Sequence, residues 1–360
     1  MSAIWALIDL LAGRRDPATL SDRDWEAVIS VARAEALAAT LAEWLADAAL
    51  PDEIAALFAD LRAAAKVQQN AALWEAEMAR RALEPAGVRF VLLKGTAYAA
   101  AGLSNASGRQ IGDLDIMVAR EDLDRAEAAL LAAGWEWVKS DPYDDAYYRQ
   151  HMHELPPLIH RDRDRMIDVH HTILPLTHRA TPDAGAMMER ALPLPLAGGV
   201  RGGPERSEGA ETTGPPPAPP AGGRGELLIL APADMLIHCA AHVIADGDLS
   251  GGLRNLWDCH VLLKRTDVAA LEERSRHHGL DAVVARAIRL ADRLYGARQS
   301  RMSAADRLFL RALTARDNWG RPTRSFTRLL FYLRAHWLRM PPLMLARHLW
   351  VKWRRGANQP

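Results

Sequence analysis

VLLKGTAYAAAGLSNASGRQIGDLDIMV, residues 91–118, runs from an apolar stretch through a Lys-Gly-Thr turn to two aspartates one residue apart. Carboxylates in an apolar strand cost free energy unless they are paired or hold a metal. In a strand, residues i and i+2 point the same way, so Asp113 and Asp115 project from one face, about 7 Å apart along the chain. A third acid, Asp168, sits in an equally apolar strand pattern, MIDVHHTI. Three strand-borne carboxylates converging on one face would make a site for two ions about 3.5–4 Å apart, suited to in-line phosphoryl or nucleotidyl displacement. Mg²⁺ favours oxygen ligands of this type, completed by water and substrate phosphates, and Mn²⁺ shares that chemistry.

Gly95-Thr96 supplies the other half. A strand ending in a glycine turn that leads into a helix lets backbone N–H groups and a hydroxyl face a phosphate, with Lys94 and Arg109 adding charge. The turn is not a Walker A loop, because GxxxxGK[ST] is absent. Plainer readings stand beside these. Asp113 and Asp115 could cap a turn after Gly112, Asp168 could pair with an arginine of the RDRDR turn, and Gly95-Thr96 could be an ordinary strand-to-helix turn. Arg109 could make a loop salt bridge.

Working outward, residues 1–84 read as helical. Ser21 with Asp24 is a capping-box arrangement opening LSDRDWEAVISVARAEALAATLAEWLAD, and a second helical run restarts after Pro51 and reaches about Leu83. The texture changes at Gly87. VRFVLLKG reads as a buried strand, a short helix follows over about 96–102, and LDIMV (114–118) is a second strand. REDLDRAEAALLAAG is an amphipathic helix ended by Gly134, and WEWVKS a third strand. HMHELPPLIHRDRDRMIDVHHTI reads as two antiparallel strands around a polar turn, which places His151 and His153 on a strand. Strands and helices intermixed with a late hairpin fit a mixed-sheet α/β or α+β core over about 85–176, with α+β taken as the expected class.

Residues 197–226 are dense in Gly and Pro without apolar periodicity, the composition of a disordered insertion or linker. An overhang is favoured over a hinge, since Leu192–Leu196 and Leu227–Ile229 can pair without it. From residue 227 the chain is helical again, beginning APADMLIHCAAHVIAD with Pro232 at an N1-like position. The expected organisation is therefore 1–84 helical, 85–196 the catalytic core, 197–226 the insertion, and 227–360 a helical region with a basic aromatic tail.

Hydrophobic residues at 49% and charged residues at 25% are ordinary for a globular protein, and low aromatic content of 6% suits a mostly helical one. Cys239 and Cys259 form no CxxC pair, which argues for a reducing compartment. The opening MSAIWALIDLLAGRRD carries its charge after the apolar run, the wrong order for a signal peptide, and LLILAPADMLIHCAAHVIA holds Pro232, Asp234 and two histidines, so no membrane span is expected. A cytoplasmic location follows as the expectation. The formal net charge is zero, yet residues 316–360 hold ten Lys/Arg against Asp317. Basic residues interleaved with Trp319, Phe326, Phe331, Tyr332, Trp337, Trp350 and Trp353 would suit nucleic acid or a membrane surface. The favoured expectation is that the aromatics pack on the domain. A zinc site from His151, His153, His170 and His171 is the alternative to the favoured reading of these as satisfied, partly buried imidazoles, and His238 and His242 share a helical face without the glutamate of HExxH.

The G-[ST] turn, D-x-D on the next strand and a later lone Asp resemble the DNA polymerase β-like nucleotidyltransferase superfamily. LLKGTAYA, GRQIGDLDIMV, HMHELPPL, IDVHHTIL and AHVIADGDLSGGLRNLWD look more closely like its uncharacterised bacterial nucleotidyltransferase family, over most of residues 20–300. The resemblance implies that Asp113, Asp115 and Asp168 bind Mg²⁺, with Asp168 helping to deprotonate the acceptor, and that Gly95 and Thr96 hold the triphosphate. It implies transfer of an NMP from an NTP, ATP foremost, to a hydroxyl or phosphate of an unidentified acceptor, which could be a small molecule, a peptide or polysaccharide precursor, a protein or an RNA. Thr96 stands where serine is usual in the superfamily, and 197–226 has no counterpart. The rival reading is a non-catalytic, antitoxin-like binding module that acts through a protein partner.

Overall fold

Ser21 caps its helix as the sequence predicts: its hydroxyl accepts from Asp24 N while the Asp24 carboxylate accepts from Ser21 N. The computed structural model describes residues 2–138, 142–194, 226–245, 247, 249, 251–339 and 350. The N-terminal helices are α1 (Ala3–Leu11), α2 (Asp22–Ala34), α3 (Ala38–Trp44) and the long α4 (Asp52–Leu83). The last begins straight after Pro51, whose fixed φ suits a helix start, and reaches the expected Leu83.

The middle of the chain alternates β1 (Phe90–Leu92), α5 (Lys94–Ala100), β2 (Asp113–Val118), α6 (Leu123–Ala132), β3 (Trp135–Trp137), α7 (Pro142–His151), β4 (Leu158–His160), β5 (Met166–His170), α8 (Ala184–Glu189) and β6 (Leu192–Leu194). β7 (Leu227–Ile229) follows. Together the strands form one mixed sheet in the order β3-β4-β5-β2-β1-β7-β6, so the chain is α+β as its patterning predicts. β2 is central, antiparallel to β1 and parallel to β5. α4 and α5 pack against it, and Leu114 to Val118 are all buried, which is why that stretch reads as a nearly continuous apolar run. The RDRD turn joins β4 and β5 as an antiparallel pair.

β6 and β7 pair antiparallel, with Leu192 opposite Ile229 and Leu194 opposite Leu227. The disorder expected of 197–226 falls, apart from Glu226, outside the described residues.

Two expectations need correction. His151 ends α7 rather than lying on a strand, because the polar run before it, PYDDAYYRQ, forms a helix. Only from His153 does the chain turn extended, pairing with the end of β5. The second correction concerns the tail helix. After α9 (Pro232–Ala240), α10 (Gly252–Leu263), α11 (Val268–His277), α12 (Asp281–Tyr295) and α13 (Ala304–Leu313) comes α14 (Ser325–Arg339). In α14, Phe331 packs edge-on against Phe309 with ring centroids 4.8 Å apart, but Phe326, Tyr332 and Trp337 are exposed, as is Trp319 before it. A single helical stripe buries one face, and aromatics spaced round the helix cannot all share it. No helix among the described residues is long and apolar enough to cross a membrane.

The core is continuous from α1 through the sheet to α13. α4 packs against α5, α6 and β2, while α10 lies between α9 and α12, and α1 reaches across to α12.

Candidate active site

Register between two strands makes the site. β2 pairs parallel with β5 so that Asp115 lies opposite Asp168, and Asp113, two residues earlier, shares the face of Asp115. One oxygen from each of the three carboxylates lies within 4.8 Å of the others. Asp115 is buried, whereas Asp113 at the strand's start is exposed, so the cluster opens from the sheet towards solvent.

α5 adds a cation. Lys94 Nζ stands 2.6 Å from Asp115 Oδ1, and Lys94 adopts a left-handed backbone with φ of 47° to deliver it. A non-glycine residue in that region is uncommon, and here it starts the helix beside the acids. Leu93 N donates to Asp115 O at 3.0 Å, tying the turn to β2. The same oxygen, Asp115 Oδ1, also meets His170 Nε2 at 3.1 Å.

The charges are unequal. Burial works against ionising Asp115, but Lys94 and His170 outweigh it and hold the carboxyl far below the ordinary range. That fixed negative charge raises Asp113, with burial adding to it. Burial first, then Asp115 and Glu154, push Asp168 up to about 7. For Lys94, burial is outweighed by Asp115, so its ammonium is held charged. A divalent cation among the three carboxylates would relieve the repulsion that raises Asp113 and Asp168. The donors are all carboxylate oxygens on two hydrogen-bonded strands, which fits a hard ion such as Mg²⁺.

The other expected residues lie nearby in different surroundings. Gly95 is required by close approach, since a Cβ there would lie 2.7 Å from Arg109 Nε and 3.1 Å from Ile111 Cγ1. Thr96 is buried, and its hydroxyl has no hydrogen-bond partner among the described residues. Arg109 reaches away from the acids to an ion pair with Asp258 of α10, its guanidinium 5.5 Å from the Tyr98 ring centre. Arg254, one turn before Asp258, also binds that carboxylate at 2.9 Å and donates to Asn105 O at 2.5 Å and to the Thr40 hydroxyl. This buried network joins α3, the loop before β2, and α10.

The structure therefore brings together Asp113, Asp115, Asp168 and Lys94, and directs the Arg109 side chain elsewhere. Reasoning from residue spacing missed Glu154, the position of His153, and the Arg254–Asp258 pair. Their signal was their presence in HMHELPPL and GLRNLWD, two of the stretches that carried the resemblance.

A mixed sheet bearing D-x-D on one central strand and a third aspartate in register on its neighbour defines a nucleotidyltransferase-type core. A family model described as "uncharacterised nucleotidyltransferase" matches residues 21–296, and the chain belongs to that family. No curated protein matches the chain.

Proposed function

We propose that the protein is a divalent-cation-dependent nucleotidyltransferase that moves an NMP from an NTP, ATP foremost, to a hydroxyl or phosphate of an acceptor. The observation that carries this reading is the register of Asp115 with Asp168, with Asp113 on the same face. Asp113, Asp115 and Asp168 would hold Mg²⁺ or Mn²⁺, which supplies charge neutralisation for the phosphates and the leaving pyrophosphate.

The remaining chemistry belongs to the chain. An acceptor oxygen bonds to the α-phosphorus, the bond from that phosphorus to the bridging oxygen breaks, and pyrophosphate leaves with its electron pair. When the acceptor is a hydroxyl, its proton passes to a carboxylate oxygen of Asp168, the one acid of the three that stands on β5. Gly95 and Thr96 lie at the turn where the phosphates would seat. Lys94 screens the acids before substrate arrives, and Arg109, through Asp258, positions the loop that leads into β2. Positioning and charge neutralisation supply the rate.

The test is the melting temperature of wild type and Asp113→Asn with each NTP, with and without Mg²⁺. Ligand binding to the native state raises it by mass action. A rise that needs both Mg²⁺ and Asp113 supports the proposal and ranks the bases. No rise with any NTP favours the non-catalytic binding module instead.

A further inference from the structure

Beside the three aspartates lies a second cluster with donors of another kind. Backbone pairing builds it: past α7, residues 153–155 run antiparallel to the end of β5. Leu155 N donates to Val169 O and His171 N to His153 O, each at 2.9 Å, with Glu154 bridged to His170. This brings one donor atom each of His153, Glu154 and His170 within 4.8 Å of one another. Glu154 Oε2 stands 3.7 Å from His153 Nε2 and 3.6 Å from His170 Nε2. Those separations are long for a hydrogen bond. They are close to the edge of a tetrahedron, about 3.4 Å, around an ion bound at roughly 2.1 Å. The two imidazole rings face each other with centroids 5.2 Å apart, tilted by 32°. Among the described residues the buried Nδ1 of each ring has no hydrogen-bond partner, so neither imidazole is fully satisfied, although His170 Nε2 meets Asp115. His170 is 1% exposed, and the His153 and Glu154 side chains are 13% and 19% exposed, which leaves a way in from one side.

We propose that His153, Glu154 and His170 bind one borderline divalent transition-metal ion of the Zn²⁺ class, at a site separate from the three aspartates. Two imidazoles and a carboxylate select such an ion, whereas an all-carboxylate set suits Mg²⁺ or Mn²⁺. The two sites meet at one atom, His170 Nε2, which also contacts Asp115 Oδ1. An ion on that nitrogen draws it away from Asp115 and leaves Lys94 as the side chain holding that carboxylate. Filling the nitrogen-rich site therefore alters the charge balance of the aspartate site.

Co²⁺ added to the full-length protein tests this, because four-coordinate, imidazole-ligated Co²⁺ has visible bands far more intense than those of the hydrated ion. The expected result is intense bands that saturate at one equivalent, apart from any Co²⁺ held by the aspartates, and that are lost on adding Zn²⁺. Affinity should fall about tenfold or more in both His153→Ala and Glu154→Gln, and stay unchanged in Asp113→Asn. Circular dichroism melts establish that each variant is folded, and either variant alone suffices for the comparison. No bands, bands undiminished in both ligand variants, or bands lost in Asp113→Asn would each overturn the inference. Mg²⁺-dependent nucleotide binding is measured alongside. Co²⁺ uptake here without nucleotide binding keeps this site and sinks the proposed function, and the reverse pattern does the opposite.

Discussion

Lys94 Nζ and Asp115 Oδ1 are 2.6 Å apart, a charge-assisted contact between the first residue of α5 and the middle of β2. The lysine occupies the side of the carboxylate where a cation would compete with it. It makes the metal-free protein tolerate a buried aspartate.

Replacing Lys94 with Met should therefore have two opposite effects. The metal-free protein should lose about 2–4 kcal/mol, because Asp115 keeps its charge and loses its nearest partner. The rise in melting temperature on adding Mg²⁺ alone should be larger than in wild type, since no ammonium competes. Paired melts with and without Mg²⁺ read both, and an unchanged Mg²⁺ response would count against competition.

Asp168→Asn should separate stability from function. Asp168 is pushed up to about 7 by burial and by Asp115 and Glu154, so neutralising it removes repulsion rather than a useful contact. The metal-free variant should melt at or above the wild-type temperature. Nucleotidyl transfer, once an acceptor is found, should fall about 10²–10³-fold. A marked loss of metal-free stability would show instead that Asp168 holds the fold.

Gly95→Ala and Gly112→Ala make a controlled pair. A Cβ on Gly95 would meet Arg109 Nε at 2.7 Å, while one on Gly112 meets nothing within 4 Å. The first should cost about 1–3 kcal/mol and the second far less. Urea unfolding compares them directly, and equal costs would refute the close approach at Gly95.

The Arg109–Asp258 pair should behave as a structural joint. Asp258 is buried and also binds Arg254, so Asp258→Ala leaves two buried guanidinium groups without their carboxylate. A loss of about 3–5 kcal/mol is expected. In a double-mutant cycle, Arg109→Met and Asp258→Ala should be strongly non-additive. Additive costs would show that the two side chains act independently.

Acid sensitivity should trace in part to Asp306. Its enclosed carboxylate accepts from Arg289 at 2.8 and 3.1 Å and from Arg286 at 3.0 Å, and it closes the capping box of α13 with Ser303. Those bonds, Arg289 first, outweigh burial and hold it well below the usual range. A depressed native pKa stabilises the fold fully above the unfolded value of about 3.9, and that contribution is lost as pH falls below it. Asp306→Asn should cost about 2 kcal/mol at pH 7, a modest figure because both arginines are partly exposed. The gap from wild type should narrow in melts taken at progressively lower pH below 4, and a constant gap would refute the linkage.

Much of this was written locally. Alternation alone put Asp113 and Asp115 on one face, the Ser21–Asp24 spacing fixed a helix start, and the RDRD turn marked a hairpin, because each depends on neighbours a few residues apart. α7 escaped notice because its polar sequence shows little apolar periodicity. The tertiary structure alone decided which distant groups meet. The register of β2 against β5 put Asp168 beside Asp115, and the left-handed turn at Lys94 aimed its ammonium at that carboxylate. Packing of α10 against the loop before β2 gave Arg109 to Asp258. Strand pairing after α7 set His153 and Glu154 against His170. Spacing along a chain sets which way a side chain points, but its partner is chosen by long-range pairing and by the need to neutralise charge where water is excluded.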